Sequence, residues 1–548
     1  MAPRARRYSS SPSPPSSPPA RARRCDQMTS ADFALGGEMK AIIIGSGMAG
    51  LTAAAYLARA GHQVTVYEQF PEIGGVTATL HHDGFGWDLG PLLLEGFGPG
   101  EPAGEILTEL GLDGQVRTVQ DDRGAVFPDF SFWKPAEYAG PYWRREHLKR
   151  IFPEERGGLD RYYRFYDLMM DMMALARRAE RAGGLLAFLL KARMFLLFRQ
   201  VRHMADWNAE QLMNHFFRRP EIRAVYTAIL ADFVVRPSQF PALGIPAVNS
   251  EIAFDKRIPL RTSRAGPRLS FRYILGGCGQ MVQAFADLIR SCGGQIWANA
   301  PVARILLEDG RAVGVALTDG HQQRADIVIA SGGARETFFG LVGRQHLPAD
   351  FAARVEDVPL EESVLMVHLG IDFDPTPYQP AALCYYYNTY DVEGAVGRCQ
   401  RGEYHEGRDG FLIYIPSLHS PELAPPGHHA VTIYTIAPNR LSEGTWADWR
   451  EELAEKLVAE AERIIPGLRE RARVRVILTP EDFRRRTHQE HHSFGGCAPV
   501  MGKEGIPHRT PIPGLWFIGS QSQSGGGIAN VMMGARKAVQ MIIRGGGW

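Results

Sequence analysis

Lys40-Ala41-Ile42-Ile43-Ile44-Gly45-Ser46-Gly47-Met48-Ala49-Gly50 is the stretch on which the reading of this chain turns. The apolar run 40–44, stopped by a glycine, suits a parallel strand buried on both faces. Gly45-x-Gly47-x-x-Gly50 follows at once, and 51–60 is a helical pattern ended by Gly61. Each glycine has a physical task. Gly45 allows a tight strand-to-helix turn, Gly47 lets the backbone approach a pyrophosphate, and Gly50 lets the helix pack closely on the strand. Ser46, Met48 and Ala49 complete the loop, where free N–H groups and the helix dipole favour an anion. The run 64–68 reads as a second strand, so the ordered chain opens as a strand–helix–strand unit. Glycine-rich turns also arise by chance; the strand before and the helix after give this one its meaning.

Glu68 lies at the end of that second strand, where an acid accepts hydrogen bonds from a ribose. A solvated strand-end acid is the plainer alternative. Gly74-Gly75 comes next. Many FAD enzymes of the glutathione-reductase-like class carry such a pair here, letting the loop pass beside the cofactor. An ordinary turn would also use it, but the pair tilts the reading from NAD to FAD.

Motifs then accumulate in order. They are Glu68-Gln69-Phe70-Pro71-Glu72-Ile73-Gly74-Gly75, His82-Asp83-Gly84-Phe85, Trp87-Asp88-Leu89-Gly90 and Phe152-Pro153-Glu154-Glu155. Gly276-Gly277-Cys278-Gly279-Gln280, Gly293-Gly294, Glu308-Asp309-Gly310-Arg311-Ala312-Val313-Gly314-Val315 and Pro416-Ser417-Leu418 follow. Leu423-Ala424-Pro425-Pro426-Gly427, Pro513-Gly514-Leu515-Trp516-Phe517-Ile518-Gly519 and Gly525-Gly526-Gly527 close the series. Together they resemble the phytoene desaturase, carotenoid isomerase and retinol saturase group, over most of residues 39–548. The resemblance implies that Gly519 and Gly525 to Gly527 close over the isoalloxazine; Ser520 and Ile528 are counted among the cofactor-binding positions, and the last helix is expected from about Asn530. It also implies that the Val302 backbone contacts the adenine, although a core strand residue would look the same. Ser520 stands where many flavoproteins of this class have Asp or Ala, so its contact is the least secure.

Composition sets wider bounds. The 548 residues suit two to four domains. A net charge of +1 gives no field that would argue for nucleic acid. The six cysteines form no C-x-x-C pair and match no disulfide or zinc framework, as in a reducing compartment. No apolar run reaches the roughly 18 residues of a membrane span. These points favour a cytoplasmic location, with contact on the inner membrane face as an alternative.

The fold expected is α/β: a Rossmann-type FAD-binding domain, glutathione-reductase-like, with an inserted α+β substrate domain. Residues 1–38, rich in Ser, Pro and Arg, read as a disordered tail or a targeting segment. The FAD-binding domain takes 39–120, 266–344 and 481–548. The substrate domain takes 121–265, which is helical, and 345–480. Helices are expected at 162–181, 185–201, 281–292 and 446–465. Strands are expected at 295–298, 302–308, 312–318, 325–330, 363–369 and 430–436. The 185–201 helix is either core or a monotopic membrane contact with snorkelling Lys191 and Arg193.

His488-Gln489-Glu490-His491-His492 lacks the H-E-x-x-H spacing and a third ligand cluster, so no metal is assigned. Arg484-Arg485-Arg486 reads as a solvated basic patch. No catalytic pair stands out, as expected if the cofactor carries the chemistry. The expected activity is hydride exchange between the flavin and an apolar polyene or isoprenoid, with an unassigned electron acceptor. A redox-neutral isomerase, an amine oxidase-like enzyme and a non-enzymatic prenyl-lipid binder are the alternatives.

Overall fold

The structure is a computed structural model that describes residues 37–90, 92, 94–259, 269–490 and 496–545. The tail over 1–36, His491 and His492 lie outside the described residues.

The first strand, Lys40–Ile44, sits at the centre of a five-stranded parallel sheet. Across the sheet the order is Gln295–Trp297, Gln63–Tyr67, Lys40–Ile44, Ile327–Ala330 and Leu515–Phe517. Three widely separated parts of the chain therefore build one sheet. Its central strand is apolar at successive positions because both faces are covered. Ala41 and Ile43 point into one core with the helices Met48–Arg59, Cys278–Ser291 and Ile528–Gly545. Ile42 points the other way, towards the three-stranded sheet Val302–Glu308, Arg311–Leu317 and Gln322–Arg324. This is the expected Rossmann-type layering.

A seven-stranded sheet forms the second body. Its order is Ala472–Leu478, Ser363–Ile371, His429–Ala437, Gly410–Tyr414, Leu383–Tyr387, Arg123–Val126 and Ser131–Phe132. All pairs are antiparallel except Leu383–Tyr387 with Arg123–Val126. Leu365, Val367 and Leu369 face the helix Trp446–Glu462, while Val364 and Met366 face the opposite side with Leu412, Tyr385 and Tyr434. Residues 121–265 were expected to be helical, yet they supply the two strands at this sheet's edge. Those strands are too short for sequence periodicity to reveal; long-range pairing makes them.

The helical part carries one tightly paired charge. Arg144 and Glu251 are both buried and meet at 2.8 Å. Tyr163 donates its hydroxyl hydrogen to the same Glu251 oxygen at 2.8 Å, and Arg144 Nη1 donates to Asn249 Oδ1 at 2.9 Å. The guanidinium also lies 3.8 Å from the centre of the Phe254 ring. Cys278, Cys384, Cys399 and Cys497 carry buried, reduced thiols.

Removing one member of a buried ion pair leaves the other charge stranded. Arg144→Met should therefore destabilise the fold by about 3–5 kcal/mol. Denaturant unfolding checks this; a loss no larger than that of a surface substitution would contradict it.

Candidate active site

The glycine loop is built as its sequence requires. Gly45 adopts φ +96°, and its N–H donates to Tyr67 O at 2.8 Å, tying the turn to the second strand. A Cβ on Gly50 would stand 2.1 Å from the Gly45 carbonyl oxygen. Helix and strand thus approach to a distance that only glycine permits. Gly47 differs: its backbone is extended, and a Cβ there would meet nothing within 4 Å. That open space lies at the N-terminus of Met48–Arg59, whose first turn holds no acid.

Gly74 and Gly75, at φ +107° and +60°, bring a second loop against the first. Gly74 N–H is shared between the carbonyl and hydroxyl oxygens of Ser46, both at 3.1 Å. Ser46 N–H and hydroxyl both donate to Glu68 Oε2, at 2.8 and 2.6 Å. Phe70 N–H donates to Oε1 at 2.8 Å. Glu68 is thereby fixed in position, yet each oxygen keeps acceptor capacity.

These loops line one cavity of about 1420 Å³. That is larger than the ~300–1,000 Å³ of a usual small-molecule pocket. Of the residues singled out in the sequence, Gly45, Gly47, Met48, Ala49, Glu68, Gly74, Gly75, Val302, Gly519, Ser520, Gly525, Gly526, Gly527 and Ile528 all line it. Ser46 and Gly50 do not. Ser46 is fully buried behind the loop, orienting Glu68, and Gly50 is packed beneath Gly45. The Ser520 hydroxyl has no hydrogen-bond partner among the described residues, and a Cβ on Gly525 would meet open space.

The sequence reading misplaced Arg486. It is buried rather than solvated, because it lies 4.7 Å over the Phe70 ring and donates from Nε to Gly75 O at 2.6 Å. Nη1 sits 3.3 Å from Glu72, while Nη2 is buried without a partner. Burial lowers the pKa of this guanidinium, and Glu72 opposes the shift. An orphaned cationic donor beside a glycine cradle fits an anionic group such as the pyrophosphate of FAD. Arg485, by contrast, is exposed.

Two further carboxyls escaped the sequence reading. Asp232 and Glu361 line the same cavity, beyond the glycine loops. Asp232 accepts the Tyr385 hydroxyl at 2.7 Å, and burial pushes its carboxyl up to about 6. Phe233, Phe240, Ala247, Val248, Pro359 and Ala498 give this end an apolar wall.

The sequence profile of the flavin containing amine oxidoreductase family matches residues 48–543, and the chain belongs to that family. It is an FAD-dependent oxidoreductase. Prolycopene isomerase 1 of an Oncidium hybrid is 27% identical over 90% of this chain and 82% of its own length. Phytoene desaturase (lycopene-forming) of a Paracoccus species is 24% identical over 92% of this chain and 97% of its own. Among solved structures, cyclohexylamine oxidase from Brevibacterium oxydans shares the fold. Its TM-score is 0.56 at 16% identity, covering 93% of this chain and 99% of its own.

Two substitutions separate cofactor contact from packing. Gly47→Val fills only open space, so the protein should fold with an unchanged melting temperature when measured without cofactor, yet purify without yellow colour. Gly50→Val meets backbone and should cost about 1–3 kcal/mol or more. The flavin-to-protein absorbance ratio and the melting temperature check both. A yellow Gly47→Val protein would contradict the assignment.

Proposed function

We propose that this enzyme exchanges hydride between FAD and an apolar polyene or isoprenoid chain. One observation carries the reading: a single cavity joins the glycine loops to an apolar wall of Phe233, Phe240, Ala247 and Val248. The relatives named prolycopene isomerase and phytoene desaturase support it. When bound, FAD supplies the hydride acceptor or donor; the chain supplies position and dryness. Gly45, Gly47 and the N-terminus of Met48–Arg59 hold the pyrophosphate, with Arg486 beside it. Glu68 takes the ribose, the Val302 backbone the adenine, and Gly519 to Ile528 the flavin end. Redox-neutral isomerisation is the second reading, supported by the isomerase relatives.

Anaerobic addition of phytoene or prolycopene should change the flavin spectrum of the purified enzyme, and the product mass separates the two readings. A product two hydrogens lighter marks desaturation, and an unchanged mass marks isomerisation. If amines alone bleach the flavin and release peroxide in air, the polyene reading fails.

We also propose that the helix Gly184–Val201 rests on a lipid surface. Leu185, Phe188 and Phe195 are 73%, 67% and 63% exposed, and Leu189 and Leu196 share their face. Leu190 and Val201 face inward, and exposed Lys191 and Arg193 flank the apolar face on either side. This arrangement suits a helix lying in the plane of the interface. No described helix is long and apolar enough to cross a membrane. The protein should float with anionic vesicles, and replacing Leu185, Phe188, Phe195 and Leu196 by Ser should abolish flotation without lowering the melting temperature. Unchanged flotation would contradict the proposal.

A further inference from the structure

Glu361 lies two residues before the strand Ser363–Ile371. Its backbone is pinned on both sides. Its N–H donates to Gly496 O at 3.1 Å, and its carbonyl accepts from Asn439 Nδ2 at 3.4 Å. Its neighbour Leu360 pairs with Cys497. The side chain is only 6% exposed and lines the cavity. Among the described residues nothing offers its carboxyl group a hydrogen bond or an ion pair. Buried carboxyls are normally satisfied, because leaving one bare costs folding free energy.

The other carboxyls of the lining are all engaged. Glu68 is held by Ser46 and Phe70, and Asp232 by Tyr385. Glu336 accepts the Glu490 N–H, and Glu504 pairs with Arg354. Glu361 is the exception; Pro359, Cys497 and Ala498, joined around it by the Leu360–Cys497 bridge and the Ala498 N–H to Pro359 O bond, line the same cavity. A group kept unpaired at the wall of a reaction cavity is a candidate for chemistry.

We infer that Glu361 is the proton acceptor of the proposed desaturation. As hydride leaves one substrate carbon for the bound flavin, the adjacent carbon gives its proton to the Glu361 carboxylate. The electron pair of that second C–H bond becomes the new C=C bond. The substrate loses one hydride and one proton, the flavin is reduced, and Glu361 becomes the neutral acid. The inference rests on the polyene reading above.

Burial lifts the carboxyl's affinity for a proton well above the ordinary carboxylate value. A stronger base suits removal of a carbon-bound proton. The sign follows: below the raised value Glu361 is neutral and cannot accept, so the rate must rise with pH through it. The titratable groups that sense Glu361 are Cys497 and Tyr434. Burial pushes the Cys497 thiol up to about 12 and Tyr434 above its ordinary value, so both keep their protons across that range.

The test compares wild-type, Glu361→Gln and Glu361→Asp holoenzymes in anaerobic single turnovers with phytoene in detergent micelles. Flavin content and melting temperature are measured on each. Glu361→Gln should bleach more slowly by on the order of 100-fold, and its rising pH limb should disappear. Glu361→Asp should be slowed but keep the limb. Infrared spectra should show a protonated carboxyl band that is absent from Glu361→Gln and fades with rising pH at the midpoint of the wild-type rate. Bleaching of Glu361→Gln near the wild-type rate, with the limb intact, overturns the inference and leaves the polyene reading standing. A wild-type flavin that no polyene bleaches overturns both.

Discussion

The contact between Gly50 and the Gly45 carbonyl sets the geometry of the whole site. With a Cβ only 2.1 Å from that oxygen, no other residue could occupy position 50 without moving the helix off the strand. The helix therefore starts directly at the carboxyl end of the central strand, and its N-terminus opens on the same space as the ends of its neighbours. Ser331, just past the strand Ile327–Ala330, donates its hydroxyl hydrogen to Ile44 O at 2.9 Å. Gly519, just past the strand Leu515–Phe517, lies against Ser331 in turn. Parallel strands that end together leave a crevice at their carboxyl ends, where such folds bind their ligands.

A second constraint fixes what can enter that crevice. The helical part and the segments near 359 and 498 line its far end with apolar groups, which adjoin a charged, hydrogen-bonding region. The two ends of the cavity differ in chemistry because different parts of the chain build them. The polar end comes from glycine turns and Arg486. The apolar end comes from segments near 240 and 498, which contribute side chains without backbone turns. Electrostatic effects of the few polar groups there are strengthened by dryness, which gives Asp232 and Glu361 their raised proton affinities.

Legibility in the sequence followed locality. Gly45, Gly47, Gly50, Gly74 and Gly75 could be read because backbone conformation at a turn is decided within a few residues. The long helices and the buried strands could be read because their periodicity repeats. Arg486 could not: its burial depends on Phe70 and Gly75, more than four hundred positions away, and an Arg triplet alone resembles a solvated patch. Ser46 was placed within the ligand site by its motif, whereas its hydroxyl turns inward to Glu68. Asp88 belonged to a recognised motif, yet its task appears only in space: its Oδ1 accepts the Cys278 N–H at 2.8 Å and caps the helix Cys278–Ser291. Glu361 carried no motif, and what singles it out is the absence of a partner.

One cavity is proposed to hold both the cofactor and an apolar chain. A structure of the holoenzyme with a non-reacting polyene analogue tests it most directly. FAD is expected along the glycine loops and the analogue against Phe233, Phe240 and Val248, with Glu361 beside the analogue. An analogue bound outside this cavity, or a cofactor lying away from Gly47 and Gly525, would contradict it.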